Sequence, residues 1–195
     1  MLIATLGNAA ADMNKPLKTR LSDSLVSAFF PAADGFEVEH ETGALAHVTA
    51  KGVPTGDLFS THEMAEPKGF KGDSFDIIIA LDSGGRLIGH KVLEQHEPLV
   101  SPDKFSETEL SQYLNRLNGY SVRTGKGAMP GGLDSVSGAT ISAKAMHNAV
   151  LRATDRVGLL AGLSQNRDTL QIDMYSFAPA DWTQLIKNGS IAELR

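Results

Sequence analysis

The residues whose types and spacing could do chemistry lie in one run, Asp134-Ser135-Val136-Ser137-Gly138-Ala139-Thr140-Ile141-Ser142. It closes a glycine-dense stretch, Gly119 to Gly138, that also holds Gly125, Gly127, Gly131 and Gly132. It then opens a segment whose apolar period predicts a long helix from about Thr140 to Val157. There Ile141, Ala145, Ala149, Ala153 and Val157 form one ridge, with Met146 and Val150 beside it; such small residues permit close approach to a sheet. A helix N-terminus with unbonded backbone N–H groups, hydroxyls and a flexible glycine is a ready site for a phosphate. The same residues also make an ordinary cap, with Ser137 or Thr140 accepting from first-turn amides. Residue types alone leave both readings open.

Other chemistry fits less well. Gly125-Lys126-Gly127 invites a phosphate loop, but the spacing from Gly119 is wrong by one and no Ser or Thr follows Lys126 to hold magnesium. A dinucleotide fingerprint fails because Pro130 sits where its third glycine belongs. Ser135 lies near a nucleophile elbow, yet Leu133 replaces the glycine required before it. The only later histidine, His147, falls on the same helix, too near in sequence to close a triad. His40, His47, His62, His90, His96 and His147 show neither the i,i+4 nor the His-x-His spacing of a compact metal site. No metal site is expected from them.

Composition narrows the classes further. The 195 residues carry 18 Lys plus Arg against 23 Asp plus Glu, a formal charge of −5, which lacks the basic surplus of a nucleic-acid binder. With 42% hydrophobic and 21% charged residues, a packed core is expected rather than disorder. The absence of Cys excludes disulfides, Cys-ligated iron–sulfur centres and thiol catalysis within this sequence. Apolar runs such as Ile77-Ile78-Ile79-Ala80-Leu81 are far short of the roughly 20 residues of a spanning helix. The start, with Ala9-Ala10-Ala11, resembles the tail of a leader without a basic start or full apolar centre, so residues 1–16 are read as a flexible remnant.

The elements that must position the run follow from periodicity. Pro16 opens a helix reaching about Phe30, with Leu17, Leu21, Leu25, Ala28 and Phe29 on one face. Residues 36 to 93 read as strands and turns: Phe36, Val38 and His40 alternate with glutamates, and Ala44 to Ala50 forms a second strand. Gly43, Gly52 and Gly56 punctuate that neighbourhood. Phe75 to Leu81 and Leu87 to Leu93 form a hairpin about Asp82-Ser83-Gly84-Gly85-Arg86. Three consecutive isoleucines there predict a strand covered on both faces. Glu107 to Leu117 is a helix with Leu110, Tyr113, Leu114 and Leu117 on one side and Ser106 as its cap. Asp181 caps a short helix to Lys187, stopped by Asn188-Gly189. The fold class is therefore α+β, a twisted and mainly antiparallel sheet flanked by helices.

The pattern Asp134-x-x-Ser137-Gly138-Ala139-Thr140 resembles the flavinylation motif of the FMN-binding domains in ion-pumping NADH:quinone oxidoreductases, their Rnf-type relatives, and the membrane-bound regulators of nitrous oxide reductase. A second stretch agrees. The strand–turn–strand of residues 76–93 followed by His96-Glu97-Pro98 is similar to a segment of the nitrous oxide reductase regulators. It is less like the Glu-Thr-Pro-Gly-Leu segment of the pump subunits, whose threonine and glycine are missing here. Trp182 and Asn188-Gly189-Ser190-Ile191 also resemble the regulators, where such a segment precedes the first membrane helix.

The resemblance implies an FMN-binding domain over residues 17–165 with the sodium-pump C-subunit type of fold. It implies an appendage, 166–195, leading toward a membrane segment absent from this sequence. In those proteins a separate magnesium-dependent flavin transferase uses FAD to esterify the FMN phosphate to the motif threonine. The implied acceptor is Thr140, surrounded by Asp134, Ser137, Gly138, Ala139 and Ile141. The flavin ring would lie near His96, Glu97 and Pro98, where Glu97 disfavours and a protonated His96 favours an anionic reduced ring. The alternative is that Glu97-Pro98 merely ends a strand. Phe70, Tyr113 and Tyr120 are available for stacking, and Arg123 and Lys126 for phosphate or ribityl oxygens. The implied function is electron transfer by a redox carrier rather than a turnover enzyme, in a periplasmic domain of an inner-membrane protein serving nitrous oxide reduction. Its partners would be the flavin transferase, the nitrous oxide reductase system, and the membrane and iron–sulfur domains of the parent protein. A flavin-free sensory module and a noncovalent flavin oxidoreductase are the two rival readings.

Overall fold

The computed structural model describes residues 13, 15–127 and 140–163. The expectations for Asp134, Ser137, Gly138 and Ala139, for the helix from Asp181, for Trp182 and residues 188–191, and for nearly all of 1–16 lie outside the described residues. The chain divides into two units, Met1–Gln165 and Asn166–Arg195, and the sheet and its flanking helices belong to the first.

Five antiparallel strands run in sequence order: β1 (Gly35–Val38), β2 (Leu45–Ala50), β3 (Val53–Ser60), β4 (Asp76–Asp82) and β5 (Leu87–Glu94). Strand β4, between β3 and β5, is buried along nearly its whole length, and its residues alternate between two cores. Ile78 and Ala80 join Ala46, Val48 and Leu58 under Leu17, Leu21, Val26 and Phe30. Ile77, Ile79 and Leu81 face the other way, into a larger core closed by helices α3 (Thr61–Ala65), α4 (Glu107–Leu114) and α5 (Thr140–Leu160). The run of isoleucines is thus covered on both faces, as its lack of alternation predicts.

The hairpin turn is pinned by Asp82, whose Oδ1 accepts the N–H groups of Gly84 and Arg86, both at 2.9 Å. Helix α4 begins with a full capping box: Glu109 N donates to Ser106 Oγ at 3.2 Å, and Ser106 N donates to Glu109 Oε2 at 2.8 Å. Its last expected turn, Asn115–Leu117, tightens to a 3-10 helix.

Three expectations are corrected. The single helix to Phe30 is two, α1 (Leu17–Arg20) and α2 (Asp23–Phe29), because Ser22 leaves the helix to accept Leu25 N at 3.2 Å as the cap of α2. The strand through His40 stops at Val38. In α5 the inward stripe is Ser142, Ala143, Met146, Ala149, Val150, Ala153, Thr154, Val157 and Gly158. Ile141 is 58% exposed, so the ridge is rotated by about one residue from the expected one. Strand β3 was not legible because Gly52 and Gly56 read as punctuation between strands. Gly56 instead serves close packing: a Cβ there would overlap Leu81 O and lie 2.6 Å from the Phe30 ring.

Candidate functional site

Strand β5 ends at Glu94, and the chain turns through His96-Glu97-Pro98 beneath the start of α5. Glu97 is 5% exposed and held on every side. Its N–H donates to Gln95 Oε1 at 2.8 Å, and its carbonyl accepts Val100 N at 3.0 Å. One carboxylate oxygen, Oε1, accepts the backbone N–H of Phe70 at 2.8 Å. The other, Oε2, accepts the hydroxyl of Ser142, in the first turn of α5 and two residues beyond Thr140. A Cβ on Gly69 would overlap Oε1, so glycine there is what admits the carboxylate. One buried side chain thereby joins three segments: the loop at 69–70, the turn after β5, and the first turn of the longest helix.

The expected site residues fall unevenly around this joint. Thr140 is half-buried at the first position of α5, and Ile141 beside it faces solvent. Pro98 is half-buried. His96 is exposed, with Nε2 3.0 Å from Glu94 Oε1. Both carboxylate oxygens of Glu97 are engaged, which makes it a strut between segments. Of the stacking candidates, Tyr113 and Tyr120 belong to the core. The Tyr120 hydroxyl donates to Asp155 at 2.6 Å, and burial together with that carboxylate pushes its pKa well up. Tyr113 packs 5.9 Å from the His147 ring, and burial lowers the pKa of His147. Phe70 alone of the three is exposed, at 55%. Arg123 donates from Nε to Gly84 O at 2.9 Å on the β4–β5 turn, and Lys126 is exposed.

Two further polar groups escaped sequence reasoning. Arg20, buried on α1, bonds Asp76, Glu63 and Ser60 and so ties α1 to the start of β4 and to α3. His90 on β5, beside Ser111 of α4, has its pKa lowered to about 4 by burial and by the Lys91 charge. Arg20 sits among apolar neighbours at helical spacing, and a cation there calls for a buried acid. That was the available signal. No helix among the described residues is long and apolar enough to cross a membrane, and no cluster of metal-ligating side chains occurs among them.

Residues 69–155 match the family model of the FMN-binding domain. The chain carries an FMN-binding domain. The matched stretch starts at the glycine that admits Glu97 and contains β4, β5, α4 and most of α5, so it holds the whole joint. This FMN-binding domain is 28% identical over 146 residues to the protein NirI of Paracoccus denitrificans, covering 73% of the chain and 20% of that protein. It is 28% identical over 158 residues to the regulatory protein NosR of Pseudomonas aeruginosa, covering 75% and 22%. It is 31% identical over 146 residues to a subunit of the ion-translocating oxidoreductase complex of Stutzerimonas stutzeri, covering 71% and 62%. The chain thus spans only about a fifth of the length of NirI and NosR.

The described residues at the start of α5 fit an anionic group such as the phosphate of FMN. Thr140 is not among the fully buried residues, and it stands where helix amides and the helix dipole favour an anion. Phe70 and Ile141 expose apolar surface on two of the segments that Glu97 joins.

Proposed function

We propose that this chain is an electron-transfer module whose FMN is esterified through its phosphate to Thr140. The observation that carries the reading is the bond between Glu97 and Ser142. It brings the His96-Glu97-Pro98 turn to the first turn of the helix that the Asp134–Thr140 motif opens. These are the two segments in which the sequence resembles covalent-flavin domains. Their juxtaposition is what a cofactor bound by its phosphate at one segment and by its ring near the other requires.

FMN supplies reversible one- and two-electron chemistry when bound. The residues of the chain supply the tether and its surroundings. In the esterification a bond forms between Thr140 Oγ and the FMN phosphorus of FAD, the FAD pyrophosphate breaks, AMP leaves, and the threonine proton is released. The α5 amides and dipole favour the phosphate by about 0.3–1 kcal/mol at such a half-exposed site. A covalent link keeps the cofactor in place without tight noncovalent affinity, which suits a compartment poor in free FMN. Asp134, Ser137, Gly138 and Ala139 are assigned to the motif recognised by the flavin transferase. His96 and Pro98 are assigned to the ring side, with Ile141 beside the tether.

The domain is assigned to residues 17–165 and the appendage to 166–195. The domain is assigned to the periplasm, in a larger membrane-bound regulator or electron donor for nitrous oxide reduction. The resemblance of its two motif segments to the regulators of nitrous oxide reductase and the similarity to a regulatory protein support that reading. Iron–sulfur centres of such a protein would lie in other parts of it, since this sequence has no Cys. The test is co-expression with a flavin transferase followed by acid denaturation. Yellow colour that stays with the precipitated protein, and is lost in Thr140→Val, is the expected result. Colour released on denaturation would make the flavin noncovalent, and a colourless protein would make the domain a flavin-free module.

A further inference from the structure

We propose that Phe70 is the face against which the tethered flavin ring packs. The inference rests on the attachment of FMN at Thr140 and adds a residue that neither the motif nor the family match assigns to the ring.

Phe70 stands at the tip of a short, well-fastened loop. Lys68 and Ser74 bridge its base, with Lys68 Nζ donating to Ser74 Oγ at 2.9 Å. Gly69 N donates to Asp73 O at 2.8 Å, and Gly72, at φ +88°, donates its N–H to Gly69 O at 3.0 Å. Within this frame the Phe70 N–H is fixed to Glu97 Oε1, and Glu97 Oε2 is fixed to Ser142. The loop tip and the first turn of α5 are therefore separated by one carboxylate and two hydrogen bonds. That span is shorter than the ribityl phosphate arm that carries a flavin ring away from its tether.

The loop holds an aromatic ring 55% exposed while Tyr113 and Tyr120 are buried. Leaving a phenyl ring more than half in water forgoes much of the free energy that burying it would release. A rigid loop that does so beside a buried strut presents a stacking surface, and offset stacking between flat rings adds to the area that each removes from water. The next residue after the tether, Ile141, is exposed as well, so both joined segments offer apolar surface.

The test uses the full chain co-expressed with a flavin transferase, as wild type, Phe70→Ala, Phe70→Trp, Val53→Ala and Val53→Trp. Val53 is 61% exposed and opens β3 at the end of the sheet opposite Ser60, Asp76 and Glu94. Both sites are exposed, so folding is not at stake. Intact mass first establishes that FMN is attached. Visible circular dichroism of the flavin bands then reports the ring's contacts, and flavin fluorescence lifetime reports a tryptophan placed against it.

Phe70→Ala is expected to lose most of the flavin dichroism that wild type and Val53→Ala share. Phe70→Trp is expected to shorten the lifetime several-fold relative to Val53→Trp. Either change supports the proposal. Attached FMN with neither change overturns it and leaves the tether standing. Absence of attached FMN overturns the tether, and this proposal with it.

Discussion

Ser142 and Glu97, 45 residues apart in sequence, share a buried hydrogen bond that fixes the first turn of α5 to the turn after β5. The same carboxylate also holds the Phe70 N–H at 2.8 Å. Removing it leaves two donors facing a void, each costing about 1–3 kcal/mol when buried and unpaired. Glu97→Ala is therefore expected to lose roughly 2–4 kcal/mol of stability in a urea titration. Glu97→Gln should lose less. Its carbonyl still accepts Phe70 N–H, and its amide donates to Ser142 Oγ.

Gly69 and Glu97 are coupled by space. A methyl at Gly69 would overlap Oε1 and lie 2.7 Å from Cδ of a side chain whose two oxygens are both engaged. Gly69→Ala should destabilise the wild type by about 1–3 kcal/mol through overpacking. In a Glu97→Ala background the same change should cost nearly nothing. A double-mutant cycle by denaturant unfolding reads the difference, and strict additivity would contradict the contact.

Arg20 is buried and ion-paired with Asp76, at 0% exposure, and with Glu63, which is partly exposed. Replacing Arg20 by Met strands the Asp76 charge, which costs about 3–5 kcal/mol when one partner of a buried pair is removed. Adding Asp76→Asn to Arg20→Met should recover part of that loss. Thermal unfolding of the two variants measures both effects.

His90 gives a pH dependence with a definite sign. Its pKa is lowered from 6.5 to about 4 in the folded state, so between these values the unfolded chain binds more protons. Its contribution is complete above pH 6.5 and is lost as the pH falls toward 4, by about 3 kcal/mol in all. From pH 7 down to pH 4.5 the urea midpoint of wild type should fall relative to that of His90→Gln. Parallel curves would contradict the burial of a neutral imidazole.

The parts of the fold that were legible are those where local chemistry and packing agree. The β4–β5 hairpin declares itself by three consecutive isoleucines and a turn with an Asp and two glycines. Helix α4 declares itself by Ser106 and Glu109. Strand β3 was hidden because Gly56 is needed for contact with Leu81 and Phe30, a requirement set by residues far away in sequence. The break after Arg20 was hidden because the Ser22 cap falls inside an unbroken apolar period, while the acids that hold Arg20, Glu63 and Asp76, come from α3 and β4.

At the site, the motif run and the His96-Glu97-Pro98 turn were visible as separate segments. The strut between them was not read. Ser142 lies on the same inward stripe as Met146, Ala149 and Ala153, and a hydroxyl in such a stripe needs a buried partner. That was the signal pointing to a buried acceptor, and the acceptor is Glu97.

The central claim is the tether, and intact-mass analysis of protein co-expressed with a flavin transferase tests it most directly. The wild-type chain is predicted to gain the mass of one FMN minus one water, with fragmentation placing the increment on Thr140, and Thr140→Val is predicted to gain none. An increment retained in Thr140→Val, or placed on another residue, would contradict the account.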